Sequence, residues 1–75
     1  MPSQAFRLIY PKKMVSEPVI NNLLRQYNFT LNIIRASITE EEGWMDIQMV
    51  GKALEIEDAV TWLKGQGIDV LLIPK

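Results

Sequence analysis

The sequence predicts an α+β fold in the order strand, helix, strand, strand, helix, strand. Three observations carry that reading. Apolar side chains alternate along residues 5–10, 30–39 and 44–50, the period of a half-buried strand. They recur at helical spacing along residues 17–27 and 55–66, the mark of an amphipathic helix. A polar, glycine-ended turn, Glu40-Glu41-Glu42-Gly43, joins the second and third strands into an antiparallel hairpin.

In the first strand Phe6, Leu8 and Tyr10 share one face, and Arg7 and Ile9 the other, before Pro11 ends the ladder. Ser16 is the expected N-cap of the first helix, with Glu17 and Pro18 in its first turn. Val19, Ile20, Leu23, Leu24 and Tyr27 form its apolar stripe, and Asn28 is the expected left-handed terminator. Ile34, Ala36 and Ile38 of the second strand share one parity; Arg35, Ser37 and Thr39 share the other, and Ile33 falls with this polar set. In the third strand Met45, Ile47 and Met49 oppose Trp44, Asp46, Gln48 and Val50, and Gly51 closes the strand. Ile56, Ala59, Val60 and Leu63 line the second helix, Gly67 terminates it, and a short apolar strand over residues 68–73 stops at Pro74.

This order is the ferredoxin-like, split β-α-β arrangement. Right-handed crossovers place both helices on one face of a four-stranded antiparallel sheet with the first and third strands central. The 75 residues support one domain, with a core over about residues 5–73. Hydrophobic residues make up 48% of the chain and charged residues 23%, a globular balance and not a disordered one.

The composition narrows the chemistry. There is no cysteine and no histidine, which removes disulfides, thiolate metal sites, the commonest general base and the commonest transition-metal ligand. No catalytic residue, metal site or cofactor is expected, and the chain is read as a binding protein and not an enzyme. The net charge of −1 lacks the basic excess of a nucleic-acid binder. The longest apolar run, Val70-Leu71-Leu72-Ile73, is too short to span a bilayer. Residues 1–7 lack the features of a signal peptide, so the expected location is the cytoplasm. Glu40, Glu41 and Glu42, with Asp46, read as a solvated hairpin loop, as do Lys12 and Lys13 at their turn.

One side of the sheet is left open by the helices. It is expected to carry Arg7, Ile9, Ile33, Arg35, Ser37, Trp44, Asp46, Gln48 and Val50, with aliphatic residues of the last strand. Its apolar members mark an interaction surface, and Ile9, Ile33, Arg35, Trp44 and Val50 are the expected interface with a second copy.

Asn32-Ile33-Ile34 at the start of the second strand resembles the signature tripeptide of the NIL domain. Leu8, Tyr10 and Pro18 upstream, and Ala36, Ile38, the segment Gly43-Trp44-Met45-Asp46-Ile47-Gln48-Met49-Val50-Gly51, Ala59, Leu63 and Gly67-Ile68 downstream, fit the same pattern over about residues 7–73. The NIL family is known as the C-terminal regulatory domain of the ATPase subunit of bacterial methionine importers. The resemblance implies a ferredoxin-like fold, pairing of two copies, and methionine binding, here in free-standing form. It implies that Asn32, Ile33 and Ile34 contact the ligand, since an amide can donate to a carboxylate and accept from an ammonium. Read without the resemblance, Asn32 is a strand-start asparagine bonding its own backbone. The sequence departs from the family at Ala36, where a glycine is usual, and at Ile34, where the tripeptide has leucine. It has no Walker lysine motif, so transport itself is not implied.

Two functions remain in view from the sequence. The first is a small-molecule-sensing or regulatory module working as a homodimer, with an amino acid as ligand and a transporter or another protein as partner. The second is a protein-interaction adaptor with no small-molecule ligand.

Overall fold

The computed structural model describes residues 3–74. Met1 and Pro2, part of the N-terminal segment read above, and Lys75 lie outside the described residues. The elements are β1 (Ser3–Tyr10), a short 3-10 turn (Lys12–Met14), α1 (Val19–Gln26), β2 (Thr30–Ile38), β3 (Gly43–Val50), α2 (Ala53–Gly65) and β4 (Asp69–Ile73). The strands form one sheet in the order β2-β3-β1-β4, every neighbouring pair antiparallel. β1 and β3 are central, as the ferredoxin-like reading requires.

Paired residues on neighbouring strands share a face, so the register assigns both sides of the sheet. Phe6, Leu8 and Tyr10 of β1 oppose Ile47, Met45 and Gly43 of β3. Phe6, Leu8, Tyr10, Ile47 and Met49 pack with Val19 and Leu23 of α1, with Ile56, Ala59 and Leu63 of α2, and with Ile68 to form the core. At about 25 cal/mol per Å² of apolar area, such burial is the main term holding a domain this small. Tyr10 is one of these buried residues, and its burial pushes the phenol pKa upward.

α1 begins at Val19, later than the Ser16 cap implied, with Pro18 at the N-cap position and no side-chain cap. The 3-10 turn occupies the preceding segment, Glu17 donates its N–H to the Met14 carbonyl, and the residue before a proline is driven out of helical geometry. α1 ends at Tyr27 in extended conformation (φ −126°, ψ 143°), so Asn28 is not a left-handed terminator. Leu24, expected in the stripe, is exposed. Gly67 does take the left-handed conformation, at φ 90°, and closes α2 through Gly67 N–H to Lys64 O and Ile68 N–H to Leu63 O.

β2 departs most from the expected pattern. Ile34, Ala36 and Ile38 were expected under the helices, yet all of residues 32–38 are exposed. β2 is an edge strand, and of its residues only Leu31 near its start packs against the core. Its alternation also breaks. Ile33 opposes Ile47, and the next paired residue, Arg35, opposes Asp46, so Ile34 is an extra residue: a β-bulge. Ile33 therefore lies on the helix side of the sheet, at its uncovered margin, and not on the open side where alternation placed it.

Candidate functional site

The open face of the sheet is built in cross-strand rows. One row runs Asn32–Gln48–Ala5–Ile73, the next Arg35–Asp46–Arg7–Leu71, the next Ser37–Trp44–Ile9–Asp69. The bulge makes this arrangement. Asn32 and Arg35 are separated by an odd number of positions and would face opposite ways in a regular strand; the extra residue between them turns both to the open side.

The centre of this face is charged. Asp46 keeps only 2% of its surface exposed. Arg7 grips it with two bonds, Nε to Oδ1 at 2.7 Å and Nη2 to Oδ2 at 3.0 Å. Arg35 adds Nε to Oδ2 at 2.8 Å. Bidentate arginine–carboxylate pairing is the stronger geometry, so Arg7 is the principal partner and Arg35 the second. The two guanidiniums hold the Asp46 carboxyl well below the usual carboxylate range, Arg7 contributing more than Arg35 and desolvation opposing both. The same pairing raises the Arg7 pKa above its ordinary value, against desolvation. Asp46 is covered by side chains that themselves border solvent and sits under a thin shell instead of deep inside, which is why pairing outweighs burial here. Trp44 lies beneath both cations, its ring centroid 4.6 Å from the Arg7 guanidinium carbon and 5.9 Å from that of Arg35.

Asp46 lies on the open face, where the alternation of β3 placed it, and is paired to arginines there. Glu40, Glu41 and Glu42 belong to the hairpin loop, closed by Thr39 N–H to the Glu42 carbonyl at 2.8 Å and by Glu41 and Glu42 N–H to Thr39 Oγ1 at 3.3 and 3.2 Å. Glu41 meets Lys12 at 3.2 Å across an exposed pair, an interaction of little worth in water.

The expected ligand residues occupy one stretch of β2 with separate orientations. Asn32 is on the open face, its Nδ2 donating to Gln48 Oε1 at 3.4 Å. This bond crosses to β3, so the asparagine does not cap its own backbone. Ile33 lies at the helix-side margin, 56% exposed, and Ile34 is the bulge residue, 58% exposed. Of the expected interface residues, Ile9, Arg35, Trp44 and Val50 share the open face. Ile33 does not join them, so the greasy surface expected around Ile33 and Trp44 is divided between the two sides of β2. Ile9, Trp44 and Val50 are half-buried, Arg35 exposed. Sequence reasoning missed the Arg7–Asp46–Arg35 cluster. Its signal was present: each of these residues sits at a polar position of its strand, and two arginines facing one aspartate across adjacent strands form a favourable cross-strand set.

The architecture is a ferredoxin-like α+β sandwich whose open sheet face sets a two-arginine cluster among apolar residues. Residues 4–71 match the model of the NIL domain, and the chain belongs to the NIL family. Over 69 residues it is 33% identical to the methionine import ATP-binding protein MetN 2 of Acinetobacter baylyi and 28% identical to MetN of Helicobacter pylori. Each match covers 87% of this chain, but the chain spans only about a fifth of those relatives' length (20% and 21%). A short uncharacterized protein of Synechococcus elongatus is 29% identical over 73 residues, covering 93% of this chain and 90% of that protein. In structure, the chain resembles the C-terminal domain of an ABC transporter ATP-binding protein from Enterococcus faecalis, with a TM-score of 0.84 at 21% identity over 96% of this chain and 84% of that one. Among the described residues, no helix is long and apolar enough to cross a membrane.

Proposed function

We propose that this chain is a regulatory binding module that pairs with a second copy of itself and takes methionine or a related amino acid at the paired surface. The observation that carries the reading is the exposed β2 edge. It carries Asn32 on the open side of the sheet, Ile33 (56% exposed) and Ile38 (48%) on the helix side, and Ile34 (58%) at the bulge, polar and aliphatic groups on the two sides of a nine-residue strand with an unpaired edge. Such an edge is a template for another strand. An apolar thioether side chain is suited to aliphatic contact, and the Asn32 amide to the ligand's charged head. The names of the methionine import relatives support the ligand class and suggest a transporter as the larger partner. In this reading Asn32, Ile33 and Ile34 contact ligand. Ile9, Ile33, Arg35, Trp44 and Val50 border the second copy, β2 bringing both of its margins to the contact. The module works in the cytoplasm, performs no catalysis of its own and engages no nucleic acid.

Ligand shifts such an equilibrium only by its differential affinity for the paired and unpaired states. Sedimentation and isothermal titration with L-methionine test the proposal. Millimolar methionine is expected to release or absorb measurable heat and to move the protein toward dimer, and Ile33→Lys to weaken pairing while leaving the monomer folded. A strictly monomeric protein that gives no heat with methionine sinks the reading. The opposite edge favours a second reading, an adaptor without small-molecule ligand, because Leu71 (52%) and Leu72 (62%) are also exposed there. Self-association indifferent to every amino acid, abolished by Leu71→Lys and untouched by Ile33→Lys, selects that alternative.

A further inference from the structure

We infer that Arg35 is the carboxylate-receiving residue of the ligand site, brought beside Asn32 by the bulge at Ile34. The inference rests on the amino-acid reading above and deepens it. Arg35 commits only its Nε–H to Asp46. Among the described residues no bond uses its two terminal amino groups, and its side chain is 67% exposed. Arg7, by contrast, spends Nε and Nη2 on the same carboxylate, stacks on Trp44, and is 39% exposed. The two arginines are thus unequal: Arg7 neutralises Asp46, and Arg35 is left with a free guanidinium edge.

The charge count points the same way. Arg7 and Arg35 share one carboxylate, Asp46, which among the described residues leaves one positive charge on this part of the face without an anionic partner. Among the described strand residues, Asp69 of β4 is the other acidic residue on this face. β4 lies three strands from β2 in the sheet order, roughly 14 Å at ordinary strand spacing, too far to answer Arg35. The guanidinium fork matches a carboxylate in geometry as well as in charge. Asn32 stands in the next row on the same face, with its Nδ2 turned to Gln48 and its carbonyl oxygen without a partner among the described residues. A carboxylate donor set and an amide acceptor side by side suit the two charges of a free amino acid: carboxylate on Arg35, ammonium on Asn32. The bulge is what makes the pair, and bulges that re-aim side chains are concentrated beside functional sites.

The test compares L-methionine, its primary amide and 3-methylthiopropionate by titration. In parallel, propionate is titrated against the Arg35 Nε–H resonance. Methionine is expected to bind roughly ten- to a hundredfold more tightly than its amide, the range of a charge-assisted hydrogen bond. Arg35→Gln is expected to erase that preference while the protein stays folded at the titration temperature, as its circular dichroism spectrum shows, and Arg35→Lys to retain part of it as a point charge. Acid and amide binding alike, or Arg35→Gln keeping the preference, overturns the inference while the amino-acid reading stands. Propionate moving Arg35 with no response to any methionine compound overturns the amino-acid reading alone. If no carboxylate moves Arg35, the inference is wrong.

Discussion

The start of β2, and so the position of Asn32, is set by a close approach at Gly51. A Cβ placed there lies 2.9 Å from the Cβ of Phe29, 3.5 Å from its Cα and 3.8 Å from the Asn28 carbonyl oxygen. Gly43 offers the control. Its added Cβ meets Ile38 Cδ1, also at 2.9 Å. The distances are equal but the neighbours differ. Ile38 Cδ1 is the end of a rotatable side chain that is 48% exposed and can swing away. Phe29 Cβ is fixed to the backbone, so relief at Gly51 requires moving the chain that enters β2. Neither glycine has positive φ, so backbone strain does not separate them, and each alanine gains the same small entropic benefit. Overpacking without an escape costs about 1–3 kcal/mol. For a domain of this size each kcal/mol lowers Tm by about 4–8 °C. Gly51→Ala is therefore expected to melt roughly 5–20 °C below the parent, and Gly43→Ala within about 3 °C of it. Thermal unfolding followed by circular dichroism measures both. Equal shifts for the two variants refute the claim that the Phe29 backbone contact fixes β2.

Two further outcomes follow from the same geometry. The pKa of Asp46 is depressed in the fold by Arg7 and Arg35, so its stabilisation is present above the unfolded carboxylate value near 4 and fades as pH falls below it. The gap in urea midpoint between parent and Asp46→Asn is expected to be wide at about pH 6 and to narrow as pH falls toward about 2.5; a gap independent of pH contradicts the pairing. At the end of α2, Gly67 at φ 90° tolerates no Cβ without strain, whereas nothing lies within 4 Å of one added at Gly65. Gly67→Ala is expected to cost about 1–2 kcal/mol, and Gly65→Ala to be neutral or stabilising by up to ~1 kcal/mol; denaturant titration that finds the reverse order removes the left-handed cap from the account.

The sequence disclosed the elements that alternate cleanly. Phe6, Leu8 and Tyr10, and likewise Met45, Ile47 and Met49, have only one regular way to face a core, and Gly67 has only one common use after a helix. It disclosed less where a long-range fact decides. Nothing local says that β2 is an edge strand, so Ile34 and Ile38 read as buried. The bulge depends on how β2 registers against β3, which parity counting within β2 cannot reveal, so Ile33 and Arg35 were given one face although the register divides them. The candidate site was half legible for the same reason. Asn32 stood out through its motif, but its neighbours Arg7, Asp46 and Arg35 come from three strands and meet only once the sheet is assembled. Ser16 misled because it is a good capping residue, while Pro18 fixed the helix start two residues further on.

The central claim is that the open sheet face, with Asn32 and Arg35 turned together by the bulge, receives an amino acid. A 15N–1H spectrum titrated with L-methionine tests it most directly, because the side-chain signals of Asn32, Arg35 and Trp44 all report from that face. Concerted, saturable shifts are expected at those three groups, with α1 and α2 little changed. Shifts confined to the helices, or a spectrum indifferent to methionine, contradict it.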